Sequence, residues 1–188
     1  MRSRGGVLAA ASGVVLILAG VAGCTDPPAS RSTTLPSATE RSKVSQFALS
    51  NKEALDAAVV AFERYVELAN QIGAAGGAEP ERLYEALTPE LAEESIANFQ
   101  RMQRDGLRLE GSSTVRGVRL VQQNADLVQV YACLQAGSTR LIDRTGADVT
   151  TADRQIETPL VVNLQPGDSG TLLISQSEQW PWPDNDIC

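Results

Sequence analysis

The chain has 188 residues, contains no histidine and carries a formal net charge of −7. Its length suits one ordinary domain. The missing histidine excludes nucleophile systems that pair serine or cysteine with an imidazole, and it excludes imidazole-ligated zinc and haem sites. An acidic chain without a basic block is a poor nucleic-acid binder, because neutralising phosphate supplies most of that affinity. Composition therefore removes several functional classes but names no ligand.

The N-terminal residues have the layout of a secretory signal. Arg2 and Arg4 form a short positive region, and an apolar stretch follows at residues 7–19. That stretch is too short for a comfortable membrane span. We therefore predict a signal peptide over residues 1–23, which makes the protein an exported one.

The tripeptide Val21-Ala22-Gly23 before Cys24 resembles the lipobox of bacterial lipoproteins. The resemblance implies transfer of a diacylglyceryl group to the Cys24 thiol and cleavage before Cys24, which gives a lipid anchor carrying acyl chains such as palmitate. It also implies location at the extracytoplasmic face of the cell membrane. An ordinary signal peptide that happens to end near a cysteine, or an uncleaved signal anchor, remains the alternative.

The residues after Cys24 have the composition of a spacer. Residues 25–46 contain three prolines, many serines and threonines, and almost no apolar side chains. Such a segment cannot bury enough surface to offset its ordering entropy. We predict a disordered tether over residues 24–49, followed by a single domain over residues 50–188.

The cysteine count predicts one disulfide. There are three cysteines, and a lipidated Cys24 leaves Cys133 and Cys188. Two thiols in an exported domain most simply form an intramolecular disulfide. A free thiol and an intermolecular bridge remain the alternatives.

Residues 51–105 show helical periodicity. Ser50 and Glu53 have the spacing of a capping box, which predicts a long first helix over residues 51–72, stopped at Gly73 and then Gly76-Gly77. The inward stripe of this helix recurs at helical spacing and comprises Leu55, Ala58, Val59, Phe62, Val66 and Ala69.

Two shorter helices are predicted after the first. Pro80 opens one, and Thr88-Pro89 opens the other with Thr88 as N-cap, while Gly106 ends it. The acidic cluster at the start of the third helix suits the positive end of the helix dipole, although a metal or a basic partner is an alternative use. That cluster consists of Glu90, Glu93 and Glu94.

After Gly106 the apolar period changes to two, which predicts strands. In the clearest of them, Val128, Val130, Ala132 and Leu134 form one apolar face that we expect to meet the helices. Helices followed by antiparallel strands indicate an α+β fold. The predicted strands are 115–122, 126–134, 141–143, 154–164 and 171–179, and Pro159 predicts an edge position or a bulge in the fourth.

This order of elements, with the phrase Leu83-Tyr84-Glu85-Ala86-Leu87-Thr88-Pro89-Glu90, resembles the NTF2-like (SnoaL-like) α+β barrel. The resemblance implies a curved antiparallel sheet of four to six strands wrapped around the long helix as a cone with a pocket. Members include isomerases, dehydratases, non-catalytic binding domains and accessory domains of envelope complexes. The lipobox, tether and cysteine pair also resemble small lipoproteins of actinobacteria.

An isomerase of this kind needs a proton donor and a carboxylate base in its pocket. The donors available are Tyr65, Tyr84 and Tyr131, which are also candidate ligand-binding residues, and the candidate bases are Asp126 and Glu157. The dyads that contain histidine in many enzymes of the family cannot exist here. We therefore predict a protein that is not an enzyme and uses no cofactor.

Two further groups of residues are candidates for binding. Trp180 and Trp182, flanked by prolines, form a sugar-stacking or partner surface, or else pack the tail beside the disulfide. Three carboxylates recur at five-residue spacing and could bind calcium, but they do not match an EF-hand loop. Aspartate at a turn more often accepts hydrogen bonds from its own backbone, so we predict no metal site. Those carboxylates belong to Asp143, Asp148 and Asp153.

The expected function is a non-catalytic binding or accessory module of the cell envelope, held at the membrane through the lipid on Cys24. An envelope protein or a small ligand is its expected partner, and nucleic acid is not. The alternative is a small cofactor-independent isomerase or lyase that works in an NTF2-like pocket.

Overall fold

The computed structural model describes residues 49–180 and 186–188. The predicted signal peptide, Cys24, Trp182 and all of the predicted tether except Leu49 lie outside the described residues. The described residues belong to one compact unit.

The long predicted helix is helix α1, Asn51–Ala74. Its capping box is present, because the Glu53 amide donates to Ser50 Oγ at 3.3 Å and the Ser50 amide donates to Glu53 Oε2 at 2.8 Å. The helix continues past Gly73 and ends before Gly76 and Gly77, both at positive φ, so the predicted stop at Gly76-Gly77 is confirmed and the one at Gly73 was wrong. A Cβ at Gly73 would lie 2.6 Å from Leu109 Cδ1, so this glycine lets the following chain approach the helix closely.

The two shorter helices are a 3-10 helix, Pro80–Glu85, and helix α2, Pro89–Asp105. Gly106 ends α2 in the left-handed conformation, as predicted. Thr88 has the extended backbone of an N-cap, but its side chain makes no capping hydrogen bond, so that part of the prediction was wrong.

The strands form two antiparallel sheets, and the α+β class is confirmed. Four strands pair in the order β2-β3-β5-β6, and the short strands β1 and β4 form a second, two-stranded sheet. The sequence did not predict β1. The strands are β1 Arg108–Glu110, β2 Thr114–Gln123, β3 Val128–Gln135, β4 Arg140–Ile142, β5 Glu157–Pro166 and β6 Leu172–Gln179.

The core lies between α1 and the inner face of the four-stranded sheet. The face predicted from the alternation in β3 is confirmed, since Val128, Val130 and Ala132 are buried and Leu134 packs against them. From the helices, Phe62 and Leu83 are fully buried in the same cluster. The opposite face of the sheet, here called the outer face, carries the alternate residues of each strand.

Pro159 does not place β5 at an edge, nor does it form a bulge. Strand β5 lies between β3 and β6, and Pro159 pairs in register with Cys133. The Pro159 carbonyl accepts a hydrogen bond from the Trp180 amide at 2.8 Å, just past the last residue of β6. The N–H and C=O of a strand residue point to the same side of the strand, so the nitrogen of Pro159 also faces β6. Because the β5–β6 ladder ends at this point, the missing proline N–H does not interrupt it.

A β-bulge in β2 shapes the outer face. Arg116 pairs with Cys133 and Arg119 with Tyr131, so two residues, Gly117 and Val118, oppose a single residue of β3. Two arginines three positions apart in a regular strand would point to opposite faces. The bulge places both on the outer face.

None of the helices in the described part of the chain is both long and apolar enough to cross a membrane.

Candidate functional site

Residues 186–188 fold back over the outer face of the sheet and are held there by a disulfide. Cys133 and Cys188 are joined, with their Cα atoms 5.2 Å apart, as the cysteine count predicts. Cys133 is fully buried although it belongs to the outer face, and Ile187 is buried as well. A Cβ at Gly117, whose φ is +61°, would lie 2.4 Å from the Ile187 carbonyl oxygen, so glycine leaves room for the returning chain.

The two arginines brought together by the bulge bind the same segment. Arg119 Nη1 lies 2.7 Å from Asp186 Oδ1, and this hydrogen bond lowers the pKa of the Asp186 carboxyl. Arg116 pairs with Glu157 at 2.8 Å and also donates to the backbone oxygen of Cys188. Residues 186–188 with Arg116, Arg119 and Cys133 are here called the C-terminal clasp.

Tyr131 and Trp180 stack beside the clasp. Their ring centroids are 4.0 Å apart and their planes differ by 7°. Each ring therefore has one face covered by the other. The stacking covers one face of Trp180, and both uses predicted for this residue stay predictions.

Four amide side chains cross the outer face in a row, one from each strand. Gln129 Nε2 donates to Asn163 Oδ1 at 2.8 Å, and Asn163 Nδ2 donates to Gln176 Oε1 at 2.7 Å. On the other side, Gln122 Nε2 donates to Gln129 Oε1 at 3.3 Å. Successive members of the row are register partners in the ladders. The row gives the outer face a neutral polar centre, as expected for the solvated side of an antiparallel sheet.

Tyr65 lies on the other side of the sheet, with its ring parallel to that of Phe62 at a centroid distance of 6.2 Å. Removal from water raises the pKa of the Tyr65 hydroxyl above its ordinary value of 10.0. Its position among core residues makes it part of the packing.

The raised pKa of Tyr65 predicts a loss of stability in alkali. Its neutral form is favoured in the folded state, so its contribution is complete below the ordinary pKa and disappears as the pH rises through the folded pKa. We expect Tyr65→Phe to lose less free energy of unfolding than wild type between about pH 8 and about pH 11. Urea unfolding at both pH values measures this. The exposed control Tyr84→Phe should behave as wild type, and equal alkaline losses in all three proteins would contradict the prediction.

A cavity of about 400 Å³ lies between the N-terminus of α2 and the turn that joins β5 to β6. Tyr84, which is largely exposed, is among the residues that line it, together with Thr88 and the acidic residues Glu90 and Asp168. A separate groove of about 330 Å³ lies between α1 and Leu172, where the side chain of Val60 is 66% exposed.

The three predicted proton donors lie in different places. Tyr65 packs in the core, Tyr84 lines the cavity beside α2, and Tyr131 lies on the outer face. Of the predicted bases, Glu157 is held by Arg116, and Asp126 borders a second cavity that shares Gln165 and Pro166 with the one lined by Tyr84.

Two of the three aspartates considered as calcium ligands, Asp143 and Asp148, serve turns instead. Asp143 Oδ1 accepts from the Thr145 hydroxyl and from the amides of Thr145 and Ala147, and these bonds lower the Asp143 pKa. Asp148 accepts from the Thr150 amide at 2.9 Å, and its pKa is also lowered. Within residues 49–180 and 186–188, the three side chains close enough to hold a metal are those of Cys133, Glu157 and Cys188, whose two sulfurs are joined in the disulfide.

No family model and no curated protein matches the chain. Among solved structures, the intermembrane space region of the chloroplast protein ARC6 is similar with a TM-score of 0.45 and 15% identity, covering 64% of this chain and 95% of that one. A de novo designed beta-sheet protein is similar with a TM-score of 0.35 and 16% identity, covering 71% of this chain and 94% of that one. Neither likeness assigns a family or a function.

Proposed function

We propose that the protein is an exported lipoprotein whose domain acts as a non-catalytic binding or accessory module at the cell envelope. The observation that carries this proposal is the disulfide between Cys133 and Cys188. It uses two of the three cysteines and leaves Cys24, the residue that follows the lipobox-like tripeptide. The thiol that the anchor requires is thus not one of the two joined in this bond.

The disulfide also supports the extracytoplasmic location. Disulfides persist in oxidising compartments and are rare where thiols are kept reduced. This bond joins residues 55 positions apart and holds the C-terminal clasp on the sheet. A domain built this way fits the outer side of the membrane to which the sequence directs it.

The placement of the tyrosines supports binding over catalysis. General acid–base catalysis needs the donor and the base within hydrogen-bond reach of one substrate. Tyr65 is packed in the core, and Tyr131 is stacked on Trp180. Tyr84 shares its cavity with the carboxylates of Glu90 and Asp168, so the support against catalysis comes from Tyr65 and Tyr131.

The domain is further proposed to be a small relative of the NTF2-like barrels, with its sheet curved around α1. The order of elements supports this, since a long helix and two shorter ones precede the four-stranded antiparallel sheet. The packing of α1 residues such as Phe62 on the inner face of the sheet also supports it.

Replacing Cys24 tests the anchor directly. The wild-type gene and Cys24→Ala are expressed in a bacterium grown with an alkyne-tagged palmitate, and the protein is assayed for label and for partition into the detergent phase. Wild type should be labelled and should enter that phase because its acyl chains are apolar. Cys24→Ala should do neither.

Cys188→Ala serves as the matched control, since it also removes one cysteine but leaves the predicted acceptor. It should keep the label. Label that persists in Cys24→Ala, or that is missing from wild type, would overturn the proposed anchor.

A further inference from the structure

Thr88 has a buried hydroxyl without a partner. Thr88 and Thr139 are the buried polar residues of the described part of the chain, at 8% and 5% exposure. Thr139 Oγ1 donates to the Ala136 carbonyl at 2.8 Å and accepts from Arg154 Nη1 at 2.6 Å. Thr88 Oγ1 makes no hydrogen bond with any described residue, and the helix-capping bond expected of it is absent. A buried polar group left unpaired in a folded protein calls for a cause.

The residue that carries the unpaired hydroxyl lines the cavity beside α2. Thr88 is one of the residues that surround this cavity of about 400 Å³. Because Thr88 does not cap the helix, the amides of Glu90 and Leu91 in its first turn also lack an acceptor, since they have none within the helix. Pro89, between Thr88 and these residues, has no N–H to offer. The helix end therefore presents a hydroxyl and two amides suited to an oxygen atom from outside the chain.

The charges around the cavity restrict what that oxygen belongs to. A helix N-terminus favours an anionic group. The cavity is also lined by the carboxylates of Glu90 and Asp168, and none of its described lining residues is Lys or Arg. A purely anionic ligand would be repelled by these two carboxylates, and a purely cationic one would meet the positive end of the helix. A ligand that carries both charges suits both features.

Part of the remaining wall is apolar. Leu87, Pro166 and Leu173 line the cavity with carbon, beside the polar side chain of Gln165. A volume of about 400 Å³ accommodates an amino acid or a dipeptide with an apolar side chain.

We infer that this cavity binds a small zwitterion with an apolar body, of the chemical class of amino acids and short peptides. The ligand carboxylate caps α2 through Thr88 and the first-turn amides, and the ligand ammonium faces Glu90 and Asp168. This site gives a ligand class to the proposed binding module and is independent of the lipid anchor, so calorimetry tests the ligand while labelling of Cys24 tests the anchor.

Calorimetry on the full chain, purified in detergent, tests the ligand class. The probes are L-leucine and L-leucyl-L-leucine, together with two analogues of leucine that each lack one charge. These are 4-methylpentanoate, which lacks the ammonium, and 3-methylbutylamine, which lacks the carboxylate. We expect at least one zwitterionic probe to bind, and both analogues to bind about tenfold or more weakly, the equivalent of one lost charge-assisted hydrogen bond. No heat from either zwitterion, or equal affinity for an analogue, would overturn the inference.

Substitutions at Thr88 separate binding from folding. Thr88→Val keeps the shape of the side chain and removes the hydroxyl, so it should lower the affinity for the zwitterion about tenfold. Its unfolding midpoint should be unchanged or raised. Thr88→Ser keeps the hydroxyl and should keep binding. Wild-type affinity in Thr88→Val would overturn the inference.

Substitutions of the acidic residues should change the affinities for two ligands in opposite directions. The double variant Glu90→Gln with Asp168→Asn should bind the zwitterion more weakly, because the ammonium loses its carboxylate partners. It should bind 4-methylpentanoate more tightly, because the repulsion of a carboxylate is removed. Glu93→Gln, an exposed residue of α2 that does not line the cavity, is the matched control and should change neither. If Val60→Asp, in the separate groove, loses binding while Thr88→Val keeps it, the ligand lies in that groove and the inference is overturned.

Discussion

Replacing Cys133 and Cys188 together with alanine is expected to lower the free energy of unfolding by about 4 kcal/mol. The bond joins residues separated by 55 positions, so its loss returns the entropy of a long loop to the unfolded chain. Alanine is preferable to serine because Cys133 is fully buried, and a hydroxyl there would add a desolvation penalty. Urea unfolding of wild type and the double variant measures the difference.

The same variant should also release the C-terminal clasp. Without the bond, the segment keeps the exposed ion pair between Arg119 and Asp186, the hydrogen bond from Arg116 to the Cys188 oxygen, and the buried Ile187. Exposed ion pairs contribute little to stability, so these contacts should not hold the segment without the covalent bond. Arg119→Gln is the control that breaks the pair and keeps the disulfide, and its urea unfolding midpoint should stay close to that of wild type. Equal stability of wild type and the double alanine variant would contradict the role given to the disulfide.

Phe62→Ala is expected to lower the free energy of unfolding by about 3–5 kcal/mol. Phe62 is fully buried between α1 and the sheet, and its ring lies parallel to that of Tyr65. Truncation removes the transfer free energy of the ring and leaves a cavity that the surrounding strands close only in part. Thermal or urea unfolding gives the difference.

Val60→Ala, two residues away on the same helix, is the matched control. Val60 is 66% exposed, so its truncation should change stability by no more than about 0.5 kcal/mol. A small effect of Phe62→Ala, or similar effects of both substitutions, would show that α1 does not pack on the sheet as described.

Local patterns predicted the elements that local interactions determine. The start of α1 follows from Ser50 and Glu53, whose capping contacts involve neighbours in sequence. The buried face of β3 follows from strict alternation, because a half-buried strand has a period of two. The disulfide followed from counting, since the sequence predicts an exported domain in which Cys133 and Cys188 are the two thiols left after lipidation.

Features that depend on distant partners could not be predicted. Gly73 was read as a helix stop, but its role is set by Leu109, which approaches α1 from another element. Pro159 is tolerated in an inner strand because β6 ends opposite it, a fact about register and not about β5. Strand β1 has three residues and exists through its pairing with β4.

In the candidate sites, too, the features that depend on distant partners could not be predicted from the sequence. The C-terminal clasp needs a bulge in β2 to bring Arg116 and Arg119 to one face, and alternation alone would have separated them. The amide row needs the register of four strands. Thr88 was predicted as a cap from its residue type, but only its side-chain position reveals a hydroxyl without a partner.

The most direct test of the proposed function is the intact mass of the protein extracted from membranes, measured with and without reductant. We predict a chain that begins at Cys24, carries the added mass of a diacylglyceryl group, and gains the mass of two hydrogen atoms on reduction of the bond between Cys133 and Cys188. An unprocessed chain that begins at Met1, or a processed chain without added lipid mass, would contradict the proposal.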